Sequence, residues 1–323
     1  MKRSRMTLSV LATMLVVVGL SVHFLHLDTL AWQNWKLNRQ PVPAKAFGLG
    51  RYQVDIEAQR IAGLDEGLSA LTYNSDSNTL LGVTNNEPLV VELSLEGKLL
   101  RTIRIEGVSD TEGFTYIGNN RYVIAEERKQ RLLEIEILPG VEVIDTSTAP
   151  SLTIAVDKAH NKGLEGLSWD HQTQQLLVVK ERDPMRVLTI DGFIGGIASP
   201  PNIRINYKPE LTAARLFMAD LSSLTIDQLS GNLLLLSDQS HMVVEYAENG
   251  KPLSLLGLWR GMSGLSRTVP QAEGLAVDNQ RRVYIVSEPN LFYRFVPVTP
   301  ELSDATEPLQ QPERRANQRS VVD

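Results

Sequence analysis

The sequence predicts an all-β fold, a five-bladed β-propeller preceded by an N-terminal transmembrane helix. Three observations predict it: one short motif recurs five times, each copy is followed by short apolar runs of strand type, and a basic N-terminus leads into a long uncharged stretch.

The elements follow in chain order. Lys2, Arg3 and Arg5 precede residues 6–27, which carry no formal charge when His23 and His26 are neutral. Twenty-two residues make roughly 33 Å of helix, enough for a bilayer core of about 30 Å. Basic residues before the stretch favour an N-in, C-out orientation, and Trp32 and Trp35 suit the outer interface. The competing reading is a cleaved signal peptide, for which Thr29-Leu30-Ala31 is a marginal site. Both readings export the domain, and the expected location is the periplasmic side of a bacterial inner membrane. Residues 28–50, with Pro41 and Pro43, are expected to tether membrane to domain.

The recurring motif reads Leu68-Ser69-Ala70-Leu71-Thr72, Thr111-Glu112-Gly113-Phe114-Thr115, Leu164-Glu165-Gly166-Leu167-Ser168, Leu221-Ser222-Ser223-Leu224-Thr225 and Ala272-Glu273-Gly274-Leu275-Ala276. With its second residue as anchor, the intervals are 43, 53, 57 and 51 residues. A turn and an apolar run follow each copy, at 79–84, 121–125, 175–180, 232–237 and 282–287, then a third run and in most copies a fourth. Four short antiparallel strands per unit of about 40–55 residues is the pattern of a propeller blade. The last copy lacks a fourth strand, while the run 52–57 ahead of the first copy lacks a partner. Pairing the two closes the ring over 51–297 and leaves no open edge. An α/β solenoid fits less well, since little helical periodicity lies between the motifs; Pro209 to Met218 is the one helical-looking insertion. Residues 298–323 are polar and proline-punctuated and read as a disordered tail.

Composition narrows the function. A 42% hydrophobic content in 323 residues supplies one large core. A net charge of −6 with scattered basic residues argues against nucleic acid as a partner. The chain has no cysteine, which removes disulfides, thiol nucleophiles and Cys-ligated zinc.

Two positions per repeat are rich in acid. The anchors are Ser69, Glu112, Glu165, Ser222 and Glu273, and the second-strand ends are Asn85, Glu126, Glu181, Asp238 and Glu288. Their 14–16-residue separation fits a hairpin that returns both to one propeller mouth. Gathered carboxylates repel unless a cation neutralises them or they hold protons, and an all-oxygen set in irregular geometry suits Ca2+. The metal ligands expected are Glu112, Glu165 and Glu273, with Glu126, Glu181 and Glu288. Exposed acids at loop ends are also common without a metal; recurrence at matched positions favours the site. Asn74-x-Asp76-x-Asn78 lacks the glycine and closing glutamate of an EF-hand and reads as a turn. There is no G-x-S-x-G, H-E-x-x-H, P-loop or dinucleotide fingerprint; of His160, His171 and His241 in the propeller region, His171 in a hairpin turn and His241 after a strand's end read as surface residues. No residue stands out as catalytic.

Asp110-Thr111-Glu112-Gly113, Glu126-Glu127-Arg128, Lys180-Glu181-Arg182-Asp183-Pro184, and the run from Gln271 through Ser287-Glu288-Pro289-Asn290 to Phe295 resemble the SdiA-regulated (YjiK-like) family over about 60–297. The resemblance implies a five-bladed propeller similar to NHL-repeat proteins, a calcium site and a membrane-anchored N-terminus, with no defined reaction. Ser69 and Ser222 leave its carboxylate ring incomplete. Two functions are expected to compete. One is a non-enzymatic binding or scaffold module for a small molecule or protein; the other is a metal-dependent hydrolase or lactonase.

Overall fold

Each copy of the motif forms the innermost strand of a sheet. The computed structural model describes residues 11–20, 22, 27–65, 67–154, 163–195 and 202–298. After β1 (Tyr52–Arg60), blade 1 holds β2 (Leu68–Asn74), β3 (Thr79–Thr84), β4 (Leu89–Leu93) and β5 (Leu99–Glu106). Blade 2 holds β6 (Thr111–Gly118), β7 (Arg121–Glu126) and β8 (Arg131–Glu136); next come β9 (Val143–Asp145) and β10 (Ser151–Thr153). Blade 3 comprises β11 (Leu164–Asp170), β12 (Gln175–Lys180), β13 (Arg186–Asp191) and β14 (Arg204–Tyr207). Blade 4 comprises β15 (Ser223–Ile226), β16 (Leu233–Ser237), β17 (Met242–Tyr246) and β18 (Pro252–Gly257), and blade 5 contains β19 (Ala272–Val277), β20 (Val283–Ser287) and β21 (Leu291–Pro297).

The ring closes as the unpaired ends require. β1 pairs antiparallel with β21, from Tyr52 opposite Pro297 to Arg60 opposite Leu291, and becomes the outer strand of blade 5. β10 completes blade 2, while β9 runs parallel to β5 and adds a fifth strand to blade 1, tying two blades together.

The continuous apolar runs of the second strands have a packing cause. A propeller blade is covered on both faces, so its middle strands lose the polar alternation of a one-sided sheet. In β16, Leu233 and Leu235 enter the core shared with blade 3, while Leu234 and Leu236 enter the core shared with blade 5. β12 and β20 divide their side chains in the same way, and five interblade cores result.

The stretch 28–50 lies against this ring rather than free of it. Helix α1 (Leu27–Asn38) buries Leu30 and Leu37 beside blade 4, and Phe47 and Leu49 enter the core between blades 4 and 5. Glu245 fastens the segment: its buried carboxylate accepts from Phe47 N (2.6 Å), Gly48 N (3.1 Å), Asn232 Nδ2 (2.7 Å) and Ser254 Oγ (2.5 Å).

One expectation is corrected. Pro209 to Met218 forms turns and no helix; the buried Leu211, Leu216 and Met218 are spaced by five and two residues and share no helical face, and a single turn closes where Leu216 N donates to Thr212 O (3.0 Å). Among the described residues no helix is long and apolar enough to cross a membrane. Residues 11–20 are helical, while 6–10, 21, 23–26, His160 and 299–323 lie outside the described residues.

Candidate metal centre at one propeller mouth

The anchor residue owes its aim to a β-bulge. In blade 1 the ladder jumps from Leu68–Thr84 to Ala70–Val83, and the same slip occurs at Glu112, Glu165 and Glu273. A bulge leaves one residue without a partner and redirects its side chain, here toward the axis. The next residue then approaches the neighbouring blade closely, which accounts for the repeated Glu-Gly. A Cβ on Gly166 would stand 2.8 Å from Leu224 N and 2.9 Å from Ser223 Cα. Where serine replaces the acid, its hydroxyl binds the next blade: Ser69 Oγ donates to Thr111 O (2.6 Å) and Ser222 Oγ to Ala272 O (2.9 Å).

The mouth holds a cavity of about 560 Å³ lined by eight carboxylates, Glu112, Glu127, Glu165, Glu181, Asp220, Asp238, Glu273 and Glu288. Among the described residues Arg182 is the sole basic residue in its lining, and it is already paired with Glu181. Five of the six expected ligands therefore converge.

The sixth does not. Glu126 is fully buried outside the mouth, where it meets Lys129 Nζ (2.8 Å), Arg131 Nε (2.5 Å) and Ser109 N (2.9 Å). Register gives the reason. Glu126 pairs with Thr111 as Thr84 does with Leu68, Lys180 with Leu164 and Ser287 with Ala272; the mouth position is one residue later, at Asn85, Glu127, Glu181 and Glu288. Asp238 likewise follows Ser237, the last residue of β16.

Glu127, Asp110 and Asp220 were missed by sequence reasoning. Asp110 and Asp220 stand two residues before an anchor, a position that also places Gly67 and Gln271 at the mouth, so a third recurring column could have revealed them. One oxygen from each of Asp110, Glu112 and Glu127 lies within 4.8 Å of the others. Glu127 Oε1 also accepts from Gly163 N (2.9 Å), and Asp238 Oδ1 from Ala272 N (3.0 Å). Asn85 donates to Glu112, and Ser237 to Asp220.

The electrostatics follow. Burial, reinforced by Glu273 and Glu127, pushes Glu112 up to about 9. Burial with Asp238 and Glu288 nearby pushes Glu273 up to about 8. Glu165 is driven well above the usual carboxylate range by burial and by Glu112, and burial also raises Glu127 and Asp220. Such a cluster persists at neutral pH by holding protons or by gathering around a cation. Its donors are all oxygen, the chemistry of a hard divalent ion.

The two described histidines, His171 and His241, stay outside this chemistry. His171 lines a separate cavity of about 470 Å³ with Thr72, Thr115, Ser168 and Thr225, three residues beyond the anchors and so at the opposite mouth. Burial holds both His171 and His241 below the usual imidazole value, and His241 lies edge-on to Trp259 at 4.5 Å. Asn74 Oδ1 accepts from Asp76 N (2.8 Å) and Ser77 N (3.2 Å), which makes that segment an Asx turn.

A closed five-bladed ring with a carboxylate-lined axial mouth defines a β-propeller with a candidate cation site. The SdiA-regulated family model matches residues 44–296, and the chain belongs to that family. Among solved structures it is similar to a chain of a nidogen/laminin complex, at 12% identity over 69% of this chain and 73% of that one, with a TM-score of 0.46. It is similar also to a luciferin-regenerating enzyme, at 15% identity over 75% of this chain and 95% of that one, with the same TM-score of 0.46.

Proposed function

We propose that the protein is a calcium-binding propeller, held on the periplasmic face of the inner membrane by its N-terminal segment, that acts as a binding or scaffold module. The observation that carries the calcium reading is a mouth where, among the described residues, eight carboxylates meet a single arginine that is already paired. The ion would neutralise the carboxylates of Glu112, Glu165, Glu273 and Glu127, which burial otherwise drives toward protonation. The anchor is supported by the exposed apolar side chains of Leu11, Leu15 and Leu20 ahead of α1. A binding role is favoured over hydrolysis because, among the described residues, no histidine lines the mouth, and the two serines there, Ser69 and Ser222, donate to backbone carbonyls.

Calorimetric titration with calcium after exhaustive chelation tests the site. Glu165→Gln keeps the side chain's size and removes one charge, so it should weaken calcium binding while leaving the fold intact. Equal affinity in the two proteins, or binding in neither, overturns the assignment. Calcium-dependent hydrolysis of a lactone or ester, abolished by the same substitution, would move the protein to the hydrolase reading.

A further inference from the structure

α1 presents two unlike faces. One buries Leu30 and Leu37 against blade 4; the other exposes Trp32 and Trp35, at 59% and 47%, with their rings stacked at 5.1 Å. Two large exposed indoles side by side are uncharacteristic of a water-facing helix. Arg39 lies over Trp35 at 4.2 Å, and Lys36 is exposed beside it. Between α1 and the segment after β18 runs an open groove of about 780 Å³ lined by Leu30, Ala31, Trp35, Trp259, Arg260 and Met262. The indole N–H of Trp259 is buried and finds no hydrogen-bond acceptor.

We propose that this groove is a lipid-contact surface: Trp32, Trp35 and Trp259 sit in the headgroup layer of an anionic bilayer, Arg39 and Arg260 meet its phosphates, and the propeller stands on the outer edge of blade 4. The inference rests on the membrane-anchor reading above. Tryptophan belongs at the headgroup level, where its large amphipathic ring sits between acyl chains and water. Cationic side chains on the same face complement anionic lipid. Continuity selects lipid over a protein partner, because the exposed apolar residues 11–20 lie only seven residues ahead of Asp28 and bring the bilayer to this face.

The four tryptophans make the test direct, since Trp169 lines the mouth opposite the acidic one and serves as an internal control. Full-length protein is reconstituted into phosphatidylethanolamine–phosphatidylglycerol vesicles containing lipid brominated near the glycerol end of its chains. Variants retaining one tryptophan each, the others being phenylalanine, are compared by fluorescence quenching. If these fold poorly, the change in quenching on Trp259→Phe alone replaces them. Trp259 should be quenched about as strongly as Trp35, Trp169 should not, and Arg260→Glu should reduce the quenching of Trp259. Quenching of Trp32 and Trp35 with Trp259 untouched leaves the anchor standing and overturns the docking. Quenching at none of the four overturns both. Trp259 untouched by brominated lipid, and more shielded from aqueous iodide at high than at low protein concentration, would mark a second copy of the chain in the groove, which also overturns the proposal.

Discussion

A glutamate and a glycine in succession do two jobs that neither could do alone. The bulge turns Glu165 toward the axis, and the missing side chain of Gly166 lets blade 4 come within contact distance. Gly166→Ala should therefore lower stability by about 1–3 kcal/mol, because the clash is with backbone that cannot move aside. Chemical denaturation measures it. The neighbouring acids of blade 2 separate structure from chemistry. Glu126→Gln strips Lys129 and Arg131 of a buried partner and should destabilise the fold by about 1–3 kcal/mol with calcium affinity unchanged. Glu127→Gln should do the reverse, weakening calcium binding with little loss of stability, and titration of both variants decides. The five blade anchors were legible because a glycine or small residue follows each, and in four blades a bulge accompanies it. Glu126 misled because two acids stand in succession there: Glu126 lies 14 residues after its anchor, whereas the mouth residues lie 15 or 16 after theirs, a spacing that selects Glu127.

Among the elements, β1 has the largest leverage relative to its length. It covers the last open edge of blade 5 along its whole run and carries Asp55, whose carboxylate pairs with Arg294 at 2.8 Å. Deleting residues 51–61 should lower the melting temperature of the entire domain in one transition; an unchanged melting temperature would contradict a closed ring. The Glu245 clasp should behave locally. Glu245→Ala leaves the N–H groups of Phe47 and Gly48 without an acceptor and should cost about 2–4 kcal/mol, with hydrogen exchange rising first in residues 46–50. The closing strand could be read from the sequence because an unpaired run and an incomplete blade need each other. The docking of 28–50 could not, since it depends on a glutamate some two hundred residues away whose burial no local pattern announces.

For the whole molecule, the proposed calcium site would couple proton binding, calcium and stability. In the calcium-free protein Glu112 and Glu273 hold protons up to about 9 and about 8, against an ordinary value of 4.5. The folded state thus binds protons that the unfolded state has released. That stabilising contribution is complete below about 4.5 and is lost as pH rises through about 8 to 9. The melting temperature of the chelated protein should fall between pH 5 and 9 by calorimetry, and calcium should flatten the fall. Calcium at about 100 times its dissociation constant should add roughly 2.7 kcal/mol. The β1–β21 pairing bears also on how the protein is made. Synthesis releases Tyr52 early and Pro297 only after almost 250 further residues, yet the two face each other in the finished ring. Until the final strand leaves the ribosome, the first waits with its backbone donors and acceptors unspent, an adhesive ribbon for any passing sheet. A messenger truncated ahead of residue 291 therefore yields a sticky, permanently open chain rather than a slightly smaller protein, which makes completeness of translation a condition of solubility.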